Sequence, residues 1–147
     1  MGEQELINLV REQMDAFNNG DWDRWSSFLA DDPVYVETGT GRTLRGRDQI
    51  LGAVQQWKQS FADARGEIEQ IFADGNDRVA AEIRWEGTHT GDLVGPSGTI
   101  PATNRKVHVF AAQLFTIQGD KVRETHHHLD LIGLLQQLEA VPQARAA

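Results

Sequence analysis

His126-His127-His128 and, two residues on, Asp130 bring imidazoles and a carboxylate into one short segment. Imidazole, with an ordinary pKa of about 6.5, is the side chain best placed to give and take protons near neutrality. On a strand, alternate side chains share a face, so Glu124, His126, His128 and Asp130 line one side and Arg123, Thr125, His127 and Leu129 the other. If the first of these faces looks into a cavity, it makes a general acid/base site. Asp130 also immediately precedes the apolar run Leu131–Leu138, where Asp is a favoured helix N-cap, so capping and catalysis both stand open for it. His89, within Gly87-Thr88-His89-Thr90-Gly91, ends a second strand and is expected at the rim of the same concavity. Alternatively, the flanking glycines serve a bend and His89 is a hydrogen-bonded core histidine. His126, His128 and His89 together also suggest three metal ligands, but the i, i+2 spacing is common to every strand. No metal is expected.

Positioning these residues takes helices first and a sheet afterwards. Leu6, Leu9/Val10, Met14 and Phe17 recur at helical spacing up to Asn18-Asn19-Gly20, and a short helix follows with Asp21 as N-cap and Asp31-Asp32-Pro33 as its stop. Val34–Glu37 reads as a short strand with a possible return at Arg42–Leu44, and Arg47–Phe61 reads as a helix. Ile68–Ala73, Arg78–Thr90, Arg105–Gln118 and Lys121–Leu129 read as strands. Asp74-Gly75-Asn76-Asp77 and Gly119-Asp120 connect them as hairpins, and a Gly/Pro-rich loop joins the middle two. Val79, Ala81, Ile83 and Trp85 share one face with His89, and Val109, Ala111, Gln113 and Phe115 share the corresponding face of the next strand. The fold class is therefore α+β, a curved antiparallel sheet packed with N-terminal helices.

The 147 residues fit one domain, 1–147, with a tail from about 140 that lacks apolar periodicity. A net charge of -8 and scattered basic residues argue against nucleic acid and anionic membrane surfaces as partners. No cysteine is present, which removes thiolate nucleophiles and Cys-based metal centres. Neither a signal peptide nor a spanning helix is read, and a cytoplasmic location is expected.

Several stretches in order resemble the SnoaL-like polyketide cyclases of the NTF2-like superfamily. These are Phe28–Val34, Arg45-Gly46-Arg47-Asp48 opening a helix, Gly87–Gly91, Pro101-Ala102-Thr103-Asn104-Arg105, and Asp130 with Gly133-Leu134-Leu135-Gln136-Gln137-Leu138. Two departures are visible: Asn104 stands where glycine is common, and the loop 92–100 is long. The resemblance implies an α+β cone closing on an apolar pocket, subunits that pair as a homodimer, and cofactor-free intramolecular aldol closure of a hydrophobic polyketide ester. It also implies Asp130 as general acid/base. His128 and His89 are the assisting candidates, and His126, Gln113, Trp85, Trp57 and Phe115 the candidate substrate contacts. Two alternatives remain on the same fold. One is a non-catalytic small-ligand-binding protein. The other is an epoxide-hydrolase-like enzyme, for which Asp130 could be one carboxylate, although Arg84 lies with Glu82 and Glu86 on the face opposite His89. A ketosteroid-isomerase-like site is weakened because the single tyrosine, Tyr35, lies outside the first helix, which offers Phe17 instead.

Overall fold

The apolar stripe of the first helix is buried as its spacing dictates: Leu6, Leu9, Val10, Met14 and Phe17 form the inner face of α1 (Glu3–Asn18). The computed structural model describes residues 1–95 and 98–141. Helix α2 (Trp22–Ser27) starts at Asp21, whose side chain accepts from the backbone N–H of Arg24, and buries Trp25. It ends earlier than the Asp31-Asp32-Pro33 stop suggested. The chain is already extended from Leu29, forming β1 (Leu29–Glu37). Pro33 fits inside that strand because the pairing with its neighbour is irregular between Leu29 and Val34, where a missing N–H breaks no regular ladder.

A turn leads to β2 (Arg42–Arg45) and then to α3 (Arg47–Ser60), which buries Ile50, Ala53 and Val54. The strands β3 (Arg65–Ala73) and β4 (Arg78–Thr88) form a hairpin. The Gly/Pro-rich connection holds a small hairpin of its own, β5 (Leu93–Gly95) and β6 (Gly98–Ile100). Long β7 (Lys106–Gln118) and β8 (Lys121–Leu129) follow, and α4 (Leu131–Gln137) ends the described helices. The main sheet runs β2-β1-β8-β7-β4-β3. Its pairs are antiparallel except β1 with β8, which is parallel. That exception corrects the wholly antiparallel expectation: β1 precedes the helix α3 and the two hairpins, and the last strand returns beside it in the same direction.

One local irregularity decides which side chains enter the core. Between β7 and β8 the register passes from Ile117 opposite Val122 to Thr116 opposite Glu124, leaving Arg123 as an extra residue. Such a bulge inverts the alternation beyond it. Val122 is buried before the bulge, and Thr125 and His127 are buried after it. Glu124, His126 and His128 consequently lie on the outer face.

The helices cover the inner face by close backbone approach. Asn18 at the end of α1 accepts from Gly66 N and donates to Gly66 O, at 2.8 and 2.9 Å. A Cβ at Gly66 would stand 2.6 Å from the Trp85 ring and 2.7 Å from Met14 Sδ, so only glycine lets α1 sit this close to the sheet. At the other end of the chain, Ala140 packs against the core and donates its N–H to Leu135 O, so the tail begins docked. The remainder of the expected tail, 142–147, lies outside the described residues.

Candidate active site

Because period 2 gives each strand one inward face, the sheet and helices enclose a pocket between them. Its walls are Val10, Gln13, Met14 and Phe17 of α1, Trp25 of α2, Val54 and Trp57 of α3 with the following Phe61, and Leu134 of α4. The sheet contributes Tyr35, Trp85, Val107, Val109, Gln113, Phe115, Thr125, His127 and Leu129. The cavity measures about 100 Å³. Four of the residues singled out from the sequence as substrate contacts, Gln113, Trp85, Trp57 and Phe115, are among these walls.

A polar row runs along the inner face of the sheet, and two of its members, His127 and Gln113, line the pocket. Glu37 of β1 is the register partner of His127 of β8, and His127 is the partner of Gln113 of β7. All three side chains are buried. The His127 ring meets Tyr35 edge to face, with Nδ1 2.8 Å from the Tyr35 hydroxyl, while Nε2 has no hydrogen-bond partner among the described residues. The Trp85 ring lies 6.1 Å away, centroid to centroid, and its Nε1–H is likewise buried without a partner among the described residues. Burial drives the His127 pKa down to about 4, against a smaller upward pull from the Glu37 charge. Burial also holds the Tyr35 phenol well above its ordinary value, with Glu37 acting in the same direction. At neutral pH the pair is therefore an uncharged imidazole bonded to an uncharged phenol.

Glu37 is anchored rather than loose. Its Oε1 accepts from Thr40 Oγ1 at 2.6 Å and from Arg42 Nε and Nη2 at 3.1 and 2.9 Å, and its Oε2 lies 3.4 Å from Trp57 Nε1. The buried carboxylate thus has a guanidinium partner, which a charge in an apolar interior requires. Through Trp57 the same group braces the α3 wall of the pocket.

The other candidates lie elsewhere, which corrects the expectation of one shared face. Asp130 is exposed, and its Oδ1 accepts from Gly133 N at 2.9 Å as the N-cap of α4. His128 is exposed, with Nδ1 2.9 Å from Thr38 Oγ1. His126 Nε2 is 2.8 Å from Glu124 Oε1 on the outer face. The physical reason is the Arg123 bulge, which turns His127 inward and its two neighbours outward.

His89 does lie on the inner side and is fully buried, but it packs behind Phe61, ring centroids 5.2 Å apart, and is not among the pocket walls. Its Nδ1 accepts from Thr103 N at 3.2 Å and lies 3.0 Å from Thr103 Oγ1. A ring nitrogen that accepts a backbone N–H cannot itself carry the proton, so neutral His89 is the Nε2–H tautomer. Burial lowers its pKa. The Gly87–Gly91 segment thereby ties the end of β4 to the end of α3, where Thr90 N and Gly91 N both donate to Ser60 O.

Arg84 lies on the outer face among Glu67, Glu69 and Glu86, away from the pocket. Among the described residues, no cluster of three or more His, Cys, Asp or Glu side chains is arranged to hold a metal ion. No helix among them is long and apolar enough to cross a membrane.

Sequence reasoning passed over His127, Tyr35 and Glu37. The two-residue spacing of Tyr35 and Glu37 on a predicted strand was a usable signal. The inversion at Arg123 had none, since no Gly or Pro marks it.

The chain resembles characterised proteins over most of its length. It is 29% identical over 136 residues to the aklanonic acid methyl ester cyclase DauD of Streptomyces sp. (strain C5), covering 90% of this chain and 80% of that protein. The solved structure of TsrD from Streptomyces laurentii has the same fold, with a TM-score of 0.81 at 22% identity, covering 96% of this chain and 99% of that one. So does a Catenulispora acidiphila protein with a ketosteroid isomerase-like fold, with a TM-score of 0.74 at 20% identity, covering 91% and 97%. The cone of bent sheet and helices is thus the NTF2-like fold, and the sequence profile of the SnoaL-like polyketide cyclases matches residues 8–138. With that match spanning nearly all of the described chain, the protein belongs to the SnoaL-like polyketide cyclase family.

Proposed function

We propose that this protein closes a ring in a hydrophobic polyketide ester by intramolecular aldol condensation. The observation that carries the reading is the pocket: aromatic walls from Phe17, Trp57, Trp85 and Phe115 enclose a few buried polar groups, the arrangement expected of a site for an apolar small molecule. The likeness to the aklanonic acid methyl ester cyclases supports an ester-bearing polyketide as the substrate class.

The chemistry asks little beyond positioning and proton transfer. A carbon between two carbonyls is already acidic, and its enolate supplies the electron pair of the new bond, so the reaction calls for no cofactor. Holding the chain folded in a near-attack geometry replaces a costly search, and proton transfer contributes about 10²–10⁴-fold. Gln113 and Trp85 are the proposed hydrogen-bonding contacts, and Trp57 and Phe115 the apolar ones.

Two copies are proposed to pair through the outer face of the sheet. A row of Val36, His126, Leu114, Ala80 and Phe72 crosses that face in register. Phe72, Phe110 and Leu114 stand 64%, 50% and 46% exposed. A patch of this kind on a folded domain is characteristic of an interaction surface.

Incubation of the purified protein with aklanonic acid methyl ester tests the function. Aldol closure is an isomerisation, so the expected product has unchanged mass and a shifted chromatographic retention. Consumption no faster than in buffer would remove the cyclase reading.

A further inference from the structure

We propose that His127, oriented by Tyr35, is the residue that takes the proton from the substrate carbon and returns it to the new alcohol oxygen. This rests on reading the pocket as the reaction chamber. The geometry singles His127 out among the histidines. Its Nδ1 is occupied by the Tyr35 hydroxyl at 2.8 Å and its Nε2 is buried with no partner among the described residues; His89 Nε2 is equally unpartnered, but only His127 is a wall of the pocket. A buried polar nitrogen without a partner is costly unless something else meets it. A bound substrate with carbonyl oxygens and an acidic C–H is a suitable partner. His126 and His128 are spent on Glu124 and Thr38 outside, and His89 is held by Thr103 behind Phe61.

The step balances within the pair. In the tautomer whose Nδ1–H donates to the Tyr35 oxygen, Nε2 carries a lone pair. The substrate C–H bond breaks, and its proton goes to Nε2 while the electron pair remains on carbon as the enolate. That carbon attacks the second carbonyl, a C–C bond forms, and the carbonyl oxygen becomes an alkoxide. Nε2–H protonates the alkoxide and the ring returns to neutral. During the step the imidazolium faces the Glu37 carboxylate, its register partner on β1, whose charge favours the protonated ring. Trp85 Nε1–H, also without a partner, supplies a donor for the developing oxygen charge in the same pocket. Tyr35 is a positioning residue: it fixes which ring nitrogen is free.

Deuterium exchange into methyl benzoylacetate, followed by proton NMR in D₂O at pH 6 with the buffer rate subtracted, reads the proton step without ring closure. Quenching of tryptophan fluorescence, with Trp57 and Trp85 in the walls, reads binding separately. Wild-type protein should accelerate exchange, and His127→Asn should lower it by at least about 10²-fold while binding and melting temperature stay near wild type. Tyr35→Phe should lower the turnover by about tenfold with KM unchanged, as expected for lost orientation and not lost binding. His108→Asn, on the outer face, should match wild type. Undiminished exchange in His127→Asn overturns the proposal, as does the absence of exchange in wild-type protein that binds the probe. His127-dependent exchange without closure of aklanonic acid methyl ester would retain this assignment and defeat the cyclase reading. Closure that survives His127→Asn would do the reverse.

Discussion

The Tyr35 hydroxyl lies 2.8 Å from His127 Nδ1 across the parallel seam of β1 and β8, so one proton donor or acceptor from the first strand controls the ring of the last. Among the described residues, neither has another hydrogen-bonded side chain. Their ionisation behaviour therefore follows mainly from burial, and it makes acid stability a direct readout of the pocket.

The first prediction concerns that stability. His127 falls from 6.5 in the unfolded chain to about 4 in the folded protein, so between these values the unfolded chain binds a proton that the folded protein refuses. Its contribution is complete above pH 6.5 and is lost as pH falls toward 4. At about 1.4 kcal/mol per pH unit, the loss at pH 4 is on the order of 3 kcal/mol. His89, lowered by burial as well, acts in the same direction. Urea midpoints at pH 7.5 and 4.5 should show a smaller acid loss in His127→Asn than in wild type. Equal losses would mean that His127 titrates normally.

The Glu37 charge raises the His127 pKa, so Glu37→Gln should move the acid limb of the exchange rate to lower pH than in wild type. A pH–rate profile from 3.5 to 7 measures this. An acid limb that moves upward would show that the carboxylate does not act on His127 through its charge.

At Asp130, capping and chemistry can be separated by one conservative change. Asn caps about as well as Asp, whereas Ala costs about 1 kcal/mol. With the carboxylate exposed and bonded to Gly133 N, Asp130→Asn should keep both thermal stability and exchange rate, and Asp130→Ala should lose about that much stability. A 10²-fold loss of activity in a fully stable Asp130→Asn protein would return the acid/base role to Asp130.

Gly91 is held by contact with α3. A Cβ there would stand 2.3 Å from Gln59 O, a backbone atom that cannot swing aside. Gly91→Ala should destabilise the protein by about 1–3 kcal/mol or more, measured by chemical denaturation. It should also loosen Phe61 against His89, visible as broadening of the His89 ring resonances.

For the outer face, Leu114→Lys in the centre of the apolar row should lower the sedimenting mass to that of one chain, with the near-ultraviolet spectrum of the pocket tryptophans unchanged. A wild-type protein that sediments as a single chain at all concentrations would dismiss pairing through this face.

Much of this architecture is legible in the sequence because it rests on periodicity. The stripe of Leu6, Leu9, Val10 and Phe17 specifies an amphipathic helix whatever surrounds it, and the alternation from Val79 to Trp85 and from Val107 to Phe115 assigns inner faces that the structure keeps. The glycines of Gly87–Gly91 and the cap at Asp130 are local chemistry, readable from a few residues. The site was not so readable, because alternation carries an inward or outward assignment only as far as the ladder stays regular. One extra residue at Arg123 exchanges His127 for His126 and His128 in the core, and no neighbouring residue type announces it. Nor does spacing along the chain reveal that β1 lies parallel to β8. That pairing, a product of packing across the whole sheet, is what sets Tyr35 and Glu37 beside His127.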